Sequence, residues 1–377
     1  MKLNIIERRG VTPMSSLYKR VDYQALINFS ADVLQRIGYP RNKAEITAKV
    51  LVEADARGVA SHGVTRLKVY KNELESGHVK PLADPEIVFE TPISAVIDGH
   101  YGIGSHISQF AMEICLEKTR KNGTCYVSVR NSNHFGMAGL WAEMASREGF
   151  IGSAYTNTIR CAVPALGRQR MLGTNPIAVS IPTDEEEPFL LDMATTTAAR
   201  GKLGVYKRRG KDLPEGWIID EEGEPISDAQ AATNLLADPT RELGGQVFLG
   251  GSGEEMGGHK GYGMGLLVEL LCAPLSMGSW TRDVFQTPDA NVCHFFSAFR
   301  LDLFGDPAPI RTYVGNILRA LRNSAPLHGE SQVYTHGQKE AARRKIALEK
   351  GVEIDEATWS MLNGLARDFN FASLEER

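Results

Sequence analysis

Three side chains with complementary chemistry occur at steps of four residues near the N-terminus: His62, Arg66 and Tyr70. Residues four apart lie almost above one another on an α-helix, so a helix here, with Ser61 as its N-cap, would align them on one face. Histidine can give or take a proton near neutral pH, and arginine binds a carboxylate through two parallel hydrogen bonds. The spacing indicates a site for a small carboxylate with a transferable proton, although a solvated stripe on a surface helix would give the same pattern.

A second candidate is the glycine-rich segment 257–263, which contains His259, Lys260 and Gly261. Glycines let backbone amides approach a phosphate, and a lysine at the start of a helix adds a positive charge. The segment departs from a P-loop because His259 stands before the lysine and Gly261 replaces the required Ser or Thr. The pattern favours pyrophosphate binding over nucleotide hydrolysis, with a flexible surface loop as the alternative.

Two polar segments follow predicted strands in the middle of the chain. The segment 130–136 contains His134, and Asp192 ends the apolar strand 189–192. Polar residues at the carboxyl ends of strands in an α/β layer are typical of binding sites, and a carboxylate there could orient a histidine. Each segment could equally be a turn or a helix cap.

The elements that must position these residues can be read from the hydrophobic spacing. Helical spacing comes first, and alternating strands and helices follow, which is the pattern of an α/β layer. The predicted helices are 22–38, 42–58, 61–76, 107–121, 137–148, 266–271 and 338–365, the last with a break at Gly351. The predicted strands are 94–98, 124–129, 151–155, 177–182, 189–192 and 295–303. The glycines of 99–104 do not have the G-x-G-x-x-G spacing, so a Rossmann site is not predicted.

This order of elements predicts a discontinuous organisation. We expect a tail over 1–20, helices of one domain over 21–80, an α/β domain over 81–305, and C-terminal helices over 306–377 that return to the helical domain. A chain of 377 residues is long enough for two domains with separate cores.

Composition narrows the function classes. The net charge of −4 and the lack of a long basic run argue against nucleic acid as a partner, and no apolar stretch reaches the ~20 residues that a membrane span needs. The five cysteines are odd in number, widely spaced and mostly in apolar surroundings, which favours buried free thiols in a reducing compartment over disulfides or a metal site. The first eighteen residues lack the apolar core of a secretory signal. We therefore expect a cytoplasmic protein without a bound metal.

Several segments, in one consistent order, together resemble the malate/L-lactate dehydrogenases of the second type. That family also includes sulfolactate and ureidoglycolate dehydrogenases, a diketogulonate reductase and cyclic imino-acid reductases. The resemblance covers roughly residues 20–365, and so many ordered segments are far more specific than one motif. The matching segments are 61–63 with Arg66 and Tyr70, 131–136, 172–176, 191–195, 201–202, 213–217, and 258–263 with Glu269.

The resemblance implies an α/β fold that is not of the Rossmann type. An α/β/α cofactor domain with a mixed sheet would be paired with a helical domain built from both chain ends, usually in a homodimer. The implied reaction is a reversible hydride transfer between NAD(P)H and a small 2-keto or 2-hydroxy carboxylate, with NAD or NADP as cofactor. Two alternatives stay open, a cyclic imino-acid reductase that uses NAD(P)H and a non-catalytic relative that only binds ligands.

The resemblance also implies roles for individual residues. His62 would be the general acid–base group and Asp192 would hold its tautomer and orientation. Arg66 would bind the substrate carboxylate with help from Ser61 and Tyr70. His134 would lie between substrate and nicotinamide. The implied cofactor contacts are His134, Thr174, Asn175, Asp192, Ala194, Thr195, His259, Lys260 and Gly261.

Three segments depart from the family pattern. They are 156–161, 280–294 and 336–338. The first of these shapes substrate choice in the family, so Arg160 is predicted as a substrate-binding residue while the identity of the acid stays open.

Overall fold

The computed structural model describes residues 18–208, 210–238, 240–286 and 289–377. Most of the expected tail over 1–20 lies outside these ranges. Its last three residues instead belong to strand β1 (Tyr18–Val21), which pairs antiparallel with β11 (Val352–Asp355). The expectation of a tail fails for 18–20 because this pairing satisfies backbone groups that a tail would leave to solvent.

The first two predicted helices are confirmed. They are α1 (Tyr23–Ile37) and α2 (Arg41–Ala56). The Asp22 carboxylate caps α1 by accepting hydrogen bonds from the N–H groups of Gln24 and Ala25 at 2.9 and 3.0 Å.

The third predicted helix begins later than the spacing suggested. Residues 60–62 form a 3-10 turn, Gly63 is extended, and α3 runs over Arg66–Glu75. His62 therefore lies outside the helix, and the Ser61 hydroxyl contacts the His62 ring instead of capping a helix. The cause is a long-range contact, since the Asp55 carboxylate accepts the Val64 N–H at 2.7 Å and holds the chain out of helical geometry.

A seven-stranded mixed sheet forms the centre of the α/β part, as predicted. Its order is β2-β3-β4-β10-β5-β6-β7, with β3 and β4 parallel and the other neighbours antiparallel. The strands are β2 (Glu86–Thr91), β3 (Ser94–Asp98), β4 (Thr124–Ser132), β5 (Phe150–Thr156), β6 (Ile177–Ile181), β7 (Phe189–Met193) and β10 (Val292–Arg300).

Helices cover both faces of this sheet. Helices α4 (Gly104–Asn122) and α5 (Ala138–Arg147) share a core with Phe296, whereas α8 (Gly258–Ser276) shares one with Phe295. Successive strand residues point to opposite faces, so these two cores lie on opposite sides of the sheet. The expected α/β/α layering is confirmed, and α8 is much longer than the predicted 266–271.

Both chain ends contribute to one helical layer. A single core cluster contains Leu26, Leu51 and Leu67 from the N-terminal helices together with Val352 and Leu362 from the C-terminal part. The C-terminal elements are α9 (Pro307–Arg322), α10 (Gln338–Lys350) and α11 (Glu356–Phe369), with β11 at the break expected near Gly351. A smaller layer consists of α6 (Arg200–Arg208), β8 (Ile218–Ile219), α7 (Ala229–Ala237) and β9 (Gly245–Gln246).

Candidate active site

The turn that precedes α3 links three of the predicted site residues. The Ser61 hydroxyl lies 2.9 Å from Nδ1 of His62, and Nε of Arg66 donates a hydrogen bond to the Ser61 carbonyl at 2.9 Å. Because Nδ1 of His62 is occupied by the serine, Nε2 is the ring nitrogen left for proton transfer. The three residues lie together as predicted, but they do not form one stripe along a helix, because Ser61 and His62 precede α3.

Folding brings His134 from the end of β4 onto this turn. The rings of His62 and His134 stack with their centroids 5.4 Å apart and their planes 19° from parallel. The Tyr70 hydroxyl, on α3, lies 2.7 Å from Nδ1 of His134. Residues distant in sequence therefore meet at one site.

Both histidines are surrounded by protein but remain partly open to solvent. Burial, and secondly the charge of Arg66, lowers the pKa of His62 to about 4. Burial, Arg66 and His62 hold the pKa of His134 well below its ordinary value. Both rings are thus neutral at physiological pH, and neutral rings that are partly open to solvent suit a base and a hydrogen-bond donor.

Arg66 supplies an anion site. Across the described ranges, no carboxylate forms an ion pair with its guanidinium, whose only hydrogen bond there is the one from Nε to Ser61. Two terminal nitrogens are therefore available for a planar carboxylate, which the guanidinium binds in a bidentate fashion.

Asp192 lies at the end of β7, as predicted, and accepts the Gly139 N–H at 2.7 Å. The surrounding protein atoms raise the pKa of its carboxyl, although the residue is exposed to solvent in the single chain. No hydrogen bond in the described chain joins Asp192 to His62, whose Nδ1 is engaged by Ser61. The pairing of Asp192 with His62 stays a prediction.

The predicted cofactor residues near the sheet edge hold neighbouring loops together. The backbone and hydroxyl of Thr195 donate to the Thr174 carbonyl at 2.9 and 3.0 Å. The Asn175 amide donates to Glu269 of α8 at 2.8 Å, while its buried Oδ1 lacks a hydrogen-bond partner among the described residues. Ala194 lies beside Thr195 and is half-buried. The loops that carry Asn175 and Thr195 are therefore anchored on α8. The Oδ1 atom of Asn175 remains available to accept a hydrogen bond from a ligand.

The glycine-rich segment starts α8 and carries the remaining predicted cofactor residues. A Cβ on Gly258 or Gly261 would collide with backbone carbonyls of Gly251 or Leu249, so glycine is required for the loop to wrap the helix start. His259 and Lys260 are exposed in the first helical turn, and neither has an ion-pair partner within the described ranges. A helix start beside a lysine with no ion-pair partner among the described residues fits a pyrophosphate.

Arg160 is not brought to the histidine pair by any contact that the described residues make. Its guanidinium forms an ion pair with Glu242 at 3.4 Å. Its role in substrate binding stays a prediction.

Asp55 is a functional candidate that sequence reasoning missed. Besides accepting the Val64 N–H, its carboxylate fills the space where any side chain on Gly63 would stand. Burial raises the pKa of this carboxyl to about 8. The sequence does contain a signal for it. Asp55 follows Ala48 and Leu51 at helical spacing on the buried face of α2, and a carboxylate at a buried position indicates a specific partner or role.

The described helices include none long and apolar enough to cross a membrane. The described residues also bring together no group of three or more metal-binding side chains. All five cysteines are buried free thiols, as predicted.

The seven-stranded mixed sheet with helices on both faces is an α/β fold that this chain shares with a solved dehydrogenase. The family model for malate/L-lactate dehydrogenase matches residues 21–363, and the chain belongs to this family.

Individual relatives agree with this assignment. A malate dehydrogenase from Pyrococcus abyssi is 39% identical over 361 residues, which cover 95% of this chain and 97% of the relative. An L-sulfolactate dehydrogenase from Methanocaldococcus jannaschii is 34% identical over 340 residues, covering 89% and 93%. The crystal structure of malate dehydrogenase from Entamoeba histolytica superposes with a TM-score of 0.90 at 32% identity, covering 94% of this chain and 99% of that one.

Family membership confirms the expected enzyme class. The chain is an oxidoreductase that transfers a hydride between NAD or NADP and a small 2-hydroxy or 2-keto acid.

Proposed function

We propose that the site formed by His62, Arg66 and His134 oxidises a 2-hydroxy carboxylate of the malate or lactate type and reduces the corresponding 2-keto acid. The observation that carries this proposal is the unpaired guanidinium of Arg66 beside two neutral imidazoles. Arg66 binds and orients the carboxylate, which brings the neighbouring carbon and its oxygen to the histidines.

The nicotinamide cofactor, when bound, supplies the hydride acceptor or donor. The residues proposed to hold it lie at the start of α8 and in the loops anchored to that helix. They are Thr174, Asn175, Ala194, Thr195, His259, Lys260 and Gly261. The helix amides and Lys260 would bind its phosphates, and Asn175 Oδ1 would accept a hydrogen bond.

His62 is proposed to move the proton. In the oxidation direction the neutral ring accepts the hydroxyl proton at Nε2, because Nδ1 faces the Ser61 hydroxyl. In the reduction direction the same nitrogen returns the proton. Binding of a carboxylate to Arg66 offsets one cause of the low pKa of His62 and so favours its protonation.

Asp192 is proposed to orient His62 in the loaded enzyme. Its carboxylate accepts a hydrogen bond from the Gly139 N–H, and the residue is exposed to solvent. Direct contact requires one of the two side chains to move when ligands bind. Arg160 is proposed to contact the distal part of the substrate, which requires release of its ion pair with Glu242.

A homodimer is the proposed assembly, supported by an apolar face that is left uncovered. Tyr313, Ile317 and Leu321 recur at four-residue steps on α9 and are 70%, 46% and 52% exposed. An exposed stripe of this kind on a monomer is typical of an interaction surface. The buried free thiols support a reducing compartment, and we propose the cytoplasm.

A substrate panel tests the proposed reaction. Purified protein would be offered malate, lactate and 3-sulfolactate with NAD or NADP, and a cyclic 2-imino acid with the reduced cofactors, while nicotinamide absorbance is followed. We expect turnover of at least one 2-hydroxy acid. Reduction of the imino acid alone, or cofactor binding without turnover of any compound, would overturn the proposal.

A further inference from the structure

His134 has an unusual pair of hydrogen bonds at a single ring nitrogen. Its Nδ1 receives the backbone N–H of Gly136 at 3.3 Å and faces the Tyr70 hydroxyl at 2.7 Å. A backbone N–H can only donate, so Nδ1 must be an unprotonated acceptor. The Tyr70 hydroxyl must then also donate, and the ring proton must be on Nε2.

The groups around His134 act against a second ring proton. Arg66 on α3, His62 on the preceding turn and His294 on β10 all lower its pKa, and burial lowers it further. Tyr70 is only 5% exposed, and burial raises the pKa of its phenol, so the hydroxyl keeps the proton that it donates. The tautomer is therefore set by geometry and is not disturbed by titration near neutral pH.

We infer that Tyr70 and Gly136 lock His134 in the tautomer that carries its proton on Nε2, and that this Nε2–H donates a hydrogen bond to the reacting oxygen of the substrate. The inference rests on the proposed function and assigns the two histidines different tasks. His62 transfers the proton, whereas His134 polarises the carbonyl and stabilises the negative charge that develops on its oxygen.

The same contacts change the role of Tyr70. Its hydroxyl proton is committed to His134, so it does not bind the substrate carboxylate as the family resemblance implied. Tyr70 is a positioning residue, and its removal should affect turnover more than substrate affinity.

Ring-nitrogen NMR of the resting protein tests the tautomer without any substrate. Protein labelled with ¹⁵N-histidine would be compared with His134→Gln, which identifies the His134 signals by their loss. We expect the Nε2–H tautomer, unchanged from about pH 5 to 8. An Nδ1–H tautomer, or a ring that titrates in this range, would overturn the inference. Because no turnover is needed, this result is independent of whether the proposed reaction is correct.

Kinetics of matched variants test the two roles. His134→Gln keeps an N–H at the position of Nε2 and should retain at least about tenfold more kcat than His134→Leu, which should lose about 100-fold. Tyr70→Phe should lower kcat about tenfold with little change in KM and should shift the Nδ1 signal of His134. Tyr39→Phe is the control, because Tyr39 is buried in the same core and has no hydrogen bond to His134.

Equal kcat values for His134→Gln and His134→Leu would refute the donor role. A rise in KM alone for Tyr70→Phe would refute the positioning role.

Discussion

The rings of His62 and His134 lie 5.4 Å apart and 19° from parallel, so a proton on one makes a proton on the other unfavourable. Arg66 adds a fixed positive charge that lowers the pKa of both rings. The pair can therefore carry one mobile proton at most. The hydrogen bonds from Gly136 and Tyr70 to His134 leave that proton to His62.

The first prediction concerns the dependence of activity on pH. The pKa of His62 is about 4 in the free protein, so the base stays neutral above this value. We expect kcat/KM for oxidation to be level from about pH 5 upwards with respect to this group and to fall as the pH drops through about 4. For reduction, which needs protonated His62, kcat/KM should decline as the pH rises above about 4.

Rate profiles in both directions would measure this behaviour. For oxidation, kcat should fall at a higher pH than kcat/KM does. The reason is that the bound carboxylate neutralises the charge of Arg66, which raises the pKa of His62 in the complex. An acid limb of kcat/KM at about 6.5, the ordinary pKa of histidine, would contradict the assignment of His62.

A second prediction is that His62→Ala lowers kcat by about 100-fold or more, the size of a general acid–base contribution. Binding of NADH, followed by fluorescence, should be unchanged because the proposed cofactor residues lie on other elements. Circular dichroism would check the fold of the variant. A folded variant with normal turnover would remove His62 from the mechanism.

Arg66→Lys should raise KM for the acid by about tenfold or more, because an ammonium group cannot form the two-pronged bond. Lysine also lacks the Nε–H that tethers Arg66 to the Ser61 carbonyl, so part of the loss comes from a looser turn. Steady-state kinetics would be compared with Arg120→Lys, in which a half-exposed surface arginine paired with Glu148 is changed in the same way. An unaltered KM would mean that another group binds the carboxylate.

Lys260→Met should weaken binding of the cofactor by about tenfold, corresponding to about 1.4 kcal/mol for one phosphate contact. The loss should shrink with added salt, because Lys260 is exposed and its interaction with an anion is screened. Titration calorimetry with NADH and NADPH would measure the change, and Lys121→Met, at the exposed end of α4, is the matched control. Equal affinities for the two variants would remove Lys260 from the cofactor site.

Local patterns in the sequence predicted most of the sheet and the first two helices correctly. Strands such as Phe150–Thr156 carry a pattern that depends on their own residues, and α1 carries its cap in Asp22. The start of α3 could not be read in this way, because it depends on the contact between Asp55 and Val64. The two-residue strands near Ile218 and Gly245 are too short for any periodicity to indicate them.

For the candidate site, the sequence indicated which residue types could take part but not how they are arranged in space. The residue types at 62, 66 and 70 indicated a small carboxylate with a transferable proton, and the hydride transfer was implied by the family resemblance. The arrangement was not indicated, since His134 stacks on His62 only in the folded chain, where α2 packs against α4. The hydrogen bond from Tyr70 to His134 joins residues 64 positions apart, which no spacing rule connects.

Asp55→Asn provides a prediction about stability. The folded pKa of Asp55 is about 8, whereas an exposed aspartate has a pKa near 3.8. Because folding raises this pKa, the contribution of Asp55 to stability is fully present below about pH 4 and is lost as the pH rises through about 8. Asparagine can still accept the Val64 N–H and carries no charge.

We therefore expect the free energy of unfolding of Asp55→Asn to exceed that of the wild type by an amount that grows between about pH 4 and 8. The slope should approach about 1.4 kcal/mol per pH unit, the value for release of one proton. Urea denaturation at several pH values would measure it, with the exposed Asp212→Asn as a control that should show no such slope. A constant difference across this range would mean that Asp55 does not carry its proton into the folded state, and that the turn holding His62 rests on a charged carboxylate.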